Sequence, residues 1–393
     1  MLTPGRLSGA QNAQQEKGIS FPGGPLGLRR TTGTLILSAL ALLALTGCPQ
    51  VMEPGDDGDL PLLDTGNNNT FDGATALALD GDVELAFRGS ISGASDLDFY
   101  RLGTLSAGDR VRIDVKRTSG DLDAVAAVFD ASENVHNFND DRAPDSSDLN
   151  PLIDFVIRGP TGPYFLAVAG LFSTNSTGDY GATITIERGV GVPDPRPQTV
   201  FLEWRGGQNV TVENVGTFSL PAFSAADVGL PEAQTTALKD RIQSIVEERY
   251  QGFRLIVASS DDNPLPAAPF TTIYFGSNNR RAFAISEQID SWNQDMSDNA
   301  IIFTGSFREA FGGDASVEQM AQAMGNTVAH EIGHLLGLVH TASCNDLMDT
   351  TCGNNRILFP QFFSRAALDE TTFATGFQDA VSLLTWILGL TGI

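Results

Sequence analysis

The sequence predicts a multidomain α+β protein, with an N-terminal β-sandwich of jelly-roll type followed by an α/β domain. Three observations carry this prediction. Short apolar segments, several of them alternating, recur between turn residues over 70–188. A Gly/Pro-rich stretch follows at 189–198. Beyond it, over 199–393, long helical stripes alternate with β-branched strands. A chain of 393 residues also exceeds what one ordinary core organises.

The first segment reads as an export signal. Arg29 and Arg30 precede an apolar run at 35–45 that is too short to span a bilayer as a helix. The run closes on Leu45-Thr46-Gly47-Cys48, which resembles the bacterial lipobox. That resemblance implies lipidation of Cys48, which becomes the first mature residue. An ordinary signal peptide would carry the same apolar run. Pro49 in place of an acidic residue points to the outer membrane or cell surface, with the lipid as the sole membrane contact. Residues 49–69 are rich in Asp, Gly, Pro and Asn and read as a flexible tether. Asp64-Thr65-Gly66 within it matches an aspartic protease signature by chance, having no folded strand around it.

The β portion comes next. Strands are predicted at 83–87, 98–102, 110–115, 124–129, 152–157, 164–169 and 181–186. Val111-Arg112-Ile113-Asp114-Val115 shows the period-2 alternation of a half-buried strand. The ordered fragments Asp96-Leu97-Asp98-Phe99-Tyr100, Leu105-Ser106-Ala107-Gly108-Asp109, Leu122-Asp123, Asp140-Asp141, Gly162-Pro163-Tyr164 and Gly178-Asp179-Tyr180 resemble the bacterial pre-peptidase C-terminal domain. Such modules accompany secreted peptidases, are β-sandwiches, and some bind calcium. Asp96, Asp98, Asp140 and Asp141 either solvate their loops or are calcium ligands. His136 reads as a solvated loop residue.

After the linker, strands are predicted at 199–204, 253–258, 271–275 and 300–303. Helices are predicted at 231–250, 317–336 and within 365–388. The apolar stretch 381–390 is short for a membrane span and reads as a packed C-terminal helix.

The chemistry concentrates in His330-Glu331-Ile332-Gly333-His334-Leu335-Leu336-Gly337-Leu338-Val339-His340. Histidines four apart share one helix face and direct both imidazoles at one ion. Glu331 stands off that face, toward the open coordination position. Gly337 permits a sharp turn after the helix, which returns His340 to the metal. Three neutral imidazoles leave a fourth position for water, as in a catalytic zinc site. Three of the chain's 4 histidines lie in this segment.

The extended motif resembles the metzincin metallopeptidases. The resemblance implies an α/β domain with a mostly parallel sheet, one catalytic zinc on His330, His334 and His340, and Glu331 as general base. It also implies a Met-containing turn under the metal, for which Met348 is the candidate. No tyrosine follows Met348, so the tyrosine ligand of some branches is absent. No cysteine lies between Cys48 and Cys344, which excludes a cysteine-switch propeptide there. Cys344 and Cys352 read as a disulfide in an exported chain, with soft-metal ligation as the alternative. The expected strand at 300–303 would offer its edge to an extended peptide.

Composition bounds the partners. Net charge is −24, from 24 basic and 48 acidic residues, so a phosphate backbone is repelled and nucleic acid is excluded as a partner. The acidity fits solubility outside the cell, or carboxylates that hold calcium. The leading expectation is a monomeric, lipid-anchored zinc endopeptidase acting on protein or peptide. Two further readings stay open: a surface-binding lipoprotein with a structural or inactive zinc site, and a zinc amidase acting on a non-peptide amide.

Overall fold

The computed structural model describes residues 60–79, 81–143, 147–172, 174–261 and 264–392. The export segment and Cys48 lie outside the described residues. Nine strands build the first half among them: β1 (Thr75–Ala76), β2 (Val83–Ile91), β3 (Leu97–Leu105), β4 (Arg110–Arg117), β5 (Ala124–Asp130), β6 (Val135–Asn139), β7 (Leu152–Val156), β8 (Gly162–Gly170) and β9 (Gly178–Glu187). They form two sheets, ordered β2-β9-β4-β7 and β1-β3-β8-β5-β6. All pairs are antiparallel except β1 with β3.

Alternation decides the sandwich core. Val111, Ile113 and Val115 of β4 and Ile184 and Ile186 of β9 face inward, against Tyr100, Leu166 and Val168 of the second sheet. The second sheet is covered on its other face as well. Every residue of β5 is buried, which is why its sequence runs apolar without alternation. Phe99, Val125, Ala127 and Phe129 on that outer face pack with Val339, Leu368 and Phe373 from the second half of the chain.

Residues 60–69, expected within a free tether, instead lie along the sandwich. Arg88 N donates to Pro61 O at 2.9 Å, Phe99 N donates to Asn68 O at 2.8 Å, and Asn68 is fully buried. Backbone pairing supplies what their composition does not.

The second half is α/β. Its strands are β10 (Gln198–Glu203), the hairpin β11 (Gly207–Val212) and β12 (Gly216–Leu220), β13 (Leu255–Ser259), β14 (Thr271–Phe275), β15 (Ala284–Ser286), β16 (Asn299–Ile302), β17 (Arg365–Ala367) and β18 (Phe377–Asp379). Its helices are α1 (Thr235–Arg249), α2 (Thr304–Phe311), α3 (Val317–Leu335) and α4 (Ala380–Leu388). The main sheet runs β13-β10-β14-β16-β15, parallel apart from the antiparallel β15. This corrects one expectation. β16, covering the predicted 300–303 strand, is flanked on both sides, and the edge belongs to β15.

Helices α1 and α3 cross closely at Gly325, where a Cβ would stand 2.6 Å from Ile245 Cγ2. No described helix is long and apolar enough to cross a membrane.

The two halves meet through more than the β5 face. Trp386 of α4 stacks on His136 at 5.2 Å, and Trp292 stacks on Phe155 at 5.7 Å. Arg158 donates to Trp386 O at 2.7 Å and lies over the Trp292 ring. His136 is therefore no solvated loop residue. It sits on β6, buried, with Nε2 3.2 Å from Asp130 Oδ2.

Candidate metal centre

Helix α3 starts at a capping box, in which Ser316 and Gln319 satisfy each other's backbone N–H groups. From Met320 to Ala329 every residue of it is buried, as are Glu331 to Leu335. At its C-terminal end His330 and His334 project from one face. The helix stops at Leu336, and Gly337 takes φ +88°. A Cβ there would stand 2.7 Å from Ser291 Cα and 2.8 Å from Asp290 O, so the turn needs glycine for both its torsion and its space. The turn brings His340 back to the helix.

The three imidazoles form a compact set. Ring centroids lie 4.7 Å apart for His330 and His334, 4.6 Å for His334 and His340, and 5.3 Å for His330 and His340. One nitrogen from each lies within 4.8 Å of the others, a group able to hold a metal ion. His334 Nε2 and His340 Nε2 are 3.0 Å apart. Two nitrogens on one tetrahedral zinc, with bonds of ~2.0 Å, would be separated by roughly 3.3 Å.

The supports of these rings fit a metal. The Nδ1 of His330 is 2.8 Å from Leu347 O, and that of His334 is 2.8 Å from Leu338 O. A carbonyl can only accept, so each Nδ1 carries the proton and each Nε2 keeps its lone pair for the shared centre. Burial depresses all three imidazoles below the ordinary histidine range, His334 to about 3 with His330 adding to the effect. The rings are thus neutral ligands at physiological pH.

Glu331 is buried, and burial raises its carboxyl to about 8 against hydrogen bonds from the Ser286 side chain and backbone. Ser286 ends the edge strand β15, so that strand and the carboxylate are held together. The loop after β15 also touches the ligand helix: Asp290 N donates to His334 O at 2.9 Å.

Met348 is fully buried beneath the helix. A Cβ on Gly333 would stand 2.7 Å from its Sδ, so the glycine makes room for the thioether. Cys344 and Cys352 form a disulfide with Cα atoms 5.3 Å apart, bracketing Met348, and this removes the soft-metal alternative.

Sequence reasoning overlooked the residue that orders this turn. The buried Asp346 carboxylate accepts four hydrogen bonds: from Thr341 Oγ1 at 2.8 Å, Met348 N at 3.0 Å, Ser364 N at 2.9 Å and Ser364 Oγ at 2.7 Å. It thereby ties the residue after His340 to the turn whose Leu347 carbonyl orients His330. Gln378 adds a second brace, bonding both Val339 N at 2.7 Å and Val339 O at 3.0 Å. Only the Asn345-Asp346 pair ahead of Met348 hinted at such a turn.

The four carboxylates considered for calcium are not gathered. Among the described residues none joins a group of three ligand-type side chains. Asp96 accepts from Ser92 N and Oγ in a turn. Asp98 is buried on β3 and accepts from the Tyr180 hydroxyl at 2.6 Å; burial raises its carboxyl to about 7. Asp140 and Asp141 follow β6, where the Asp140 side chain accepts from Asp141 N.

No family model matches the chain, and no curated protein matches it. Among solved structures it has distant similarity to the pre-peptidase C-terminal domain of a Bacillus anthracis collagenase. Identity is 17%, coverage 26% of this chain and 90% of that one, and the TM-score 0.22. It has similarly distant likeness to a zinc-dependent peptidase from Methanocorpusculum labreanum, at 11% identity, 47% and 98% coverage and TM-score 0.23. A periplasmic inhibitor of g-type lysozyme from Aeromonas hydrophila, PliG, matches at 16% identity, 28% and 94% coverage and TM-score 0.23.

Proposed function

We propose that the chain is a zinc endopeptidase of metzincin type, exported and acting on protein outside the cytoplasm. The observation that carries the reading is the set of three neutral imidazoles, two of them braced by carbonyls, with a buried carboxylate one residue from the first of them. A purely structural site has no use for that carboxylate, which ligates nothing in the set.

Three histidines would hold zinc and leave a position open. Zinc bound there would polarise a scissile carbonyl and bring water toward deprotonation near neutral pH. The remaining work falls to the chain. Glu331, fixed by Ser286, accepts a proton from the attacking water and returns it to the leaving amine. A cation bound beside it would lower the Glu331 carboxyl from its metal-free value and favour the ionised form that a general base needs. The free edge of β15 pairs with an extended peptide through main-chain hydrogen bonds, orienting it without demanding a sequence. Because Ser286 belongs to both the edge and the Glu331 contact, substrate and base share one support. The disulfide supports the export reading, since such bonds persist in oxidising compartments.

Glu331→Gln tests the mechanism. The variant should bind zinc as the parent does and lose cleavage of denatured casein. Retained cleavage would refute Glu331 as the base, and zinc in both proteins with no cleavage by either would refute the peptidase reading.

A further inference from the structure

A cavity of about 400 Å³ opens beside His334, and both halves of the chain wall it. One wall is the end of β6, the segment that follows it, and β7. The other is Ser286 and the loop that follows it to Asp295. The lining is acidic: Asp140, Asp141 and Asp154 come from the sandwich, and Glu287, Asp290 and Asp295 from the α/β half. On the α/β wall the carboxylates rest on neutral donors. Glu287 accepts from Glu213 N and Asn299 N, Asp290 from Asp295 N, and Asp295 from Ser297 N. Arg142 is the one basic side chain of the lining, and it is engaged by Asp114 and Asp148; on the sandwich wall Asp154 is paired with Arg110 through two hydrogen bonds of 2.8 Å.

We propose that this cavity is a substrate subsite, that the sandwich forms its second wall, and that it selects peptides carrying a lysine or arginine near the scissile bond. The inference rests on the peptidase reading and deepens it. Three features of the molecule converge on it. The cavity continues from the edge strand β15 and reaches a metal-ligand candidate, so a peptide paired with that edge passes through it. Glu287, Asp290 and Asp295, held on neutral donors in a concave wall, favour a cation that enters beside them, while a glutamate side chain is rejected. The chain's net charge of −24 would also attract cationic peptides to the molecule as a whole. The docking of the sandwich then has a purpose beyond spacing: the contacts of Trp386 with His136 and of Ser291 Oγ with Phe138 O (3.1 Å) hold the two walls in register.

The test uses the full chain carrying Glu331→Gln, so that binding is read without turnover. Matched labelled peptides differing only by Lys, Gln or Glu, scanned over several positions, are titrated by fluorescence anisotropy. At one position the Lys peptide should bind at least ten-fold tighter than the Glu peptide at low salt, and the gap should close at high salt. Adding Asp295→Asn should narrow the gap several-fold, and Asp154→Asn, which leaves Arg110 without that carboxylate on the sandwich wall, should narrow it as well. Equal binding of Lys and Glu peptides at every position would overturn the proposal. Discrimination that responds to Asp295→Asn but not to Asp154→Asn would overturn the sandwich as a wall. Cleavage of the Gln peptide by the parent chain reports on the peptidase reading separately. Charge-selective binding without any cleavage sinks that reading alone, and cleavage without charge selection sinks this one alone.

Discussion

Replacing Gly337 by alanine would separate the two reasons a glycine stands there. Its φ is +88°, and an added Cβ would lie 2.7 Å from Ser291 Cα, 2.8 Å from Asp290 O and 3.0 Å from Trp292 N. All three are backbone atoms that cannot rotate out of the way. The left-handed torsion costs an L-residue about 1–2 kcal/mol. Overpacking against fixed backbone adds about 1–3 kcal/mol. Gly337→Ala should therefore destabilise the chain by about 2–5 kcal/mol. Gly252 provides the control, with φ +95° and nothing within 4 Å of its Cβ. Gly252→Ala should lose only the torsional part, about 1–2 kcal/mol. The difference between the two losses is the steric cost. The crowded loop also bonds His334 O, and the residue after Gly337 holds His334 Nδ1. Gly337→Ala should thus weaken zinc binding roughly 10- to 100-fold, the usual range when a ligand loses its support. Gly252→Ala should leave it unchanged. Urea unfolding of the metal-free proteins and competition against a zinc indicator read both quantities. Equal destabilisation by the two substitutions, or undiminished zinc affinity in Gly337→Ala, would refute the idea that this loop props the ligand helix.

Three further predictions address other supports. Asp346→Ala should also lower zinc affinity by roughly 10- to 100-fold in the same competition assay, because it frees both Thr341 and the turn that orients His330. Reducing the Cys344–Cys352 bridge, which spans a sequence separation of 8, should cost roughly 2–3 kcal/mol in thermal or urea unfolding; an unchanged midpoint would show the turn is held without it. Asp98 provides a pH signature. Its folded carboxyl is raised to about 7 from 3.8, so the folded state holds its proton more tightly than the unfolded one. Stability from this group is present below pH 3.8 and is lost as pH rises to about 7, by about 4 kcal/mol at most. Asp98→Asn should flatten the fall in unfolding free energy between about pH 4 and pH 7, and an unaltered slope would contradict the assignment.

The sequence made the metal ligands legible because helical period and a following glycine are local properties. The two long helices and the parallel strands were legible for the same reason. What escaped was lateral order. The 300–303 segment reads as a strand, but nothing in its own residues says that the three-residue β15 will cover its flank. Helix α2 hides behind Gly305, a poor helix former that tolerates no side chain beside Asn278 Cβ, 2.8 Å from where its own Cβ would be. His136 was misjudged because its partners are Asp130 on a neighbouring strand and Trp386 in the last helix, both set by tertiary packing. Asp346 escaped because short turns announce a bend without saying which carboxylate will knit it. The unbroken apolar run of β5 is the pattern of a strand covered on both faces, but it carries no mark of what covers it.

That covering has a consequence for how the protein is made. Translation delivers the sandwich first, with Phe99, Ala127 and Phe129 on its outer face, while Val339, Leu368 and Phe373 come from the other end of the chain. Until they arrive, the nascent sandwich presents an oily sheet to its surroundings, the kind of surface on which partly made chains aggregate. Completion of the fold waits on a contact of very high sequence separation, which slows it. A truncated sandwich prepared alone would keep that surface permanently, so attempts to express it should yield insoluble or self-associating material unless the outer face is first made polar.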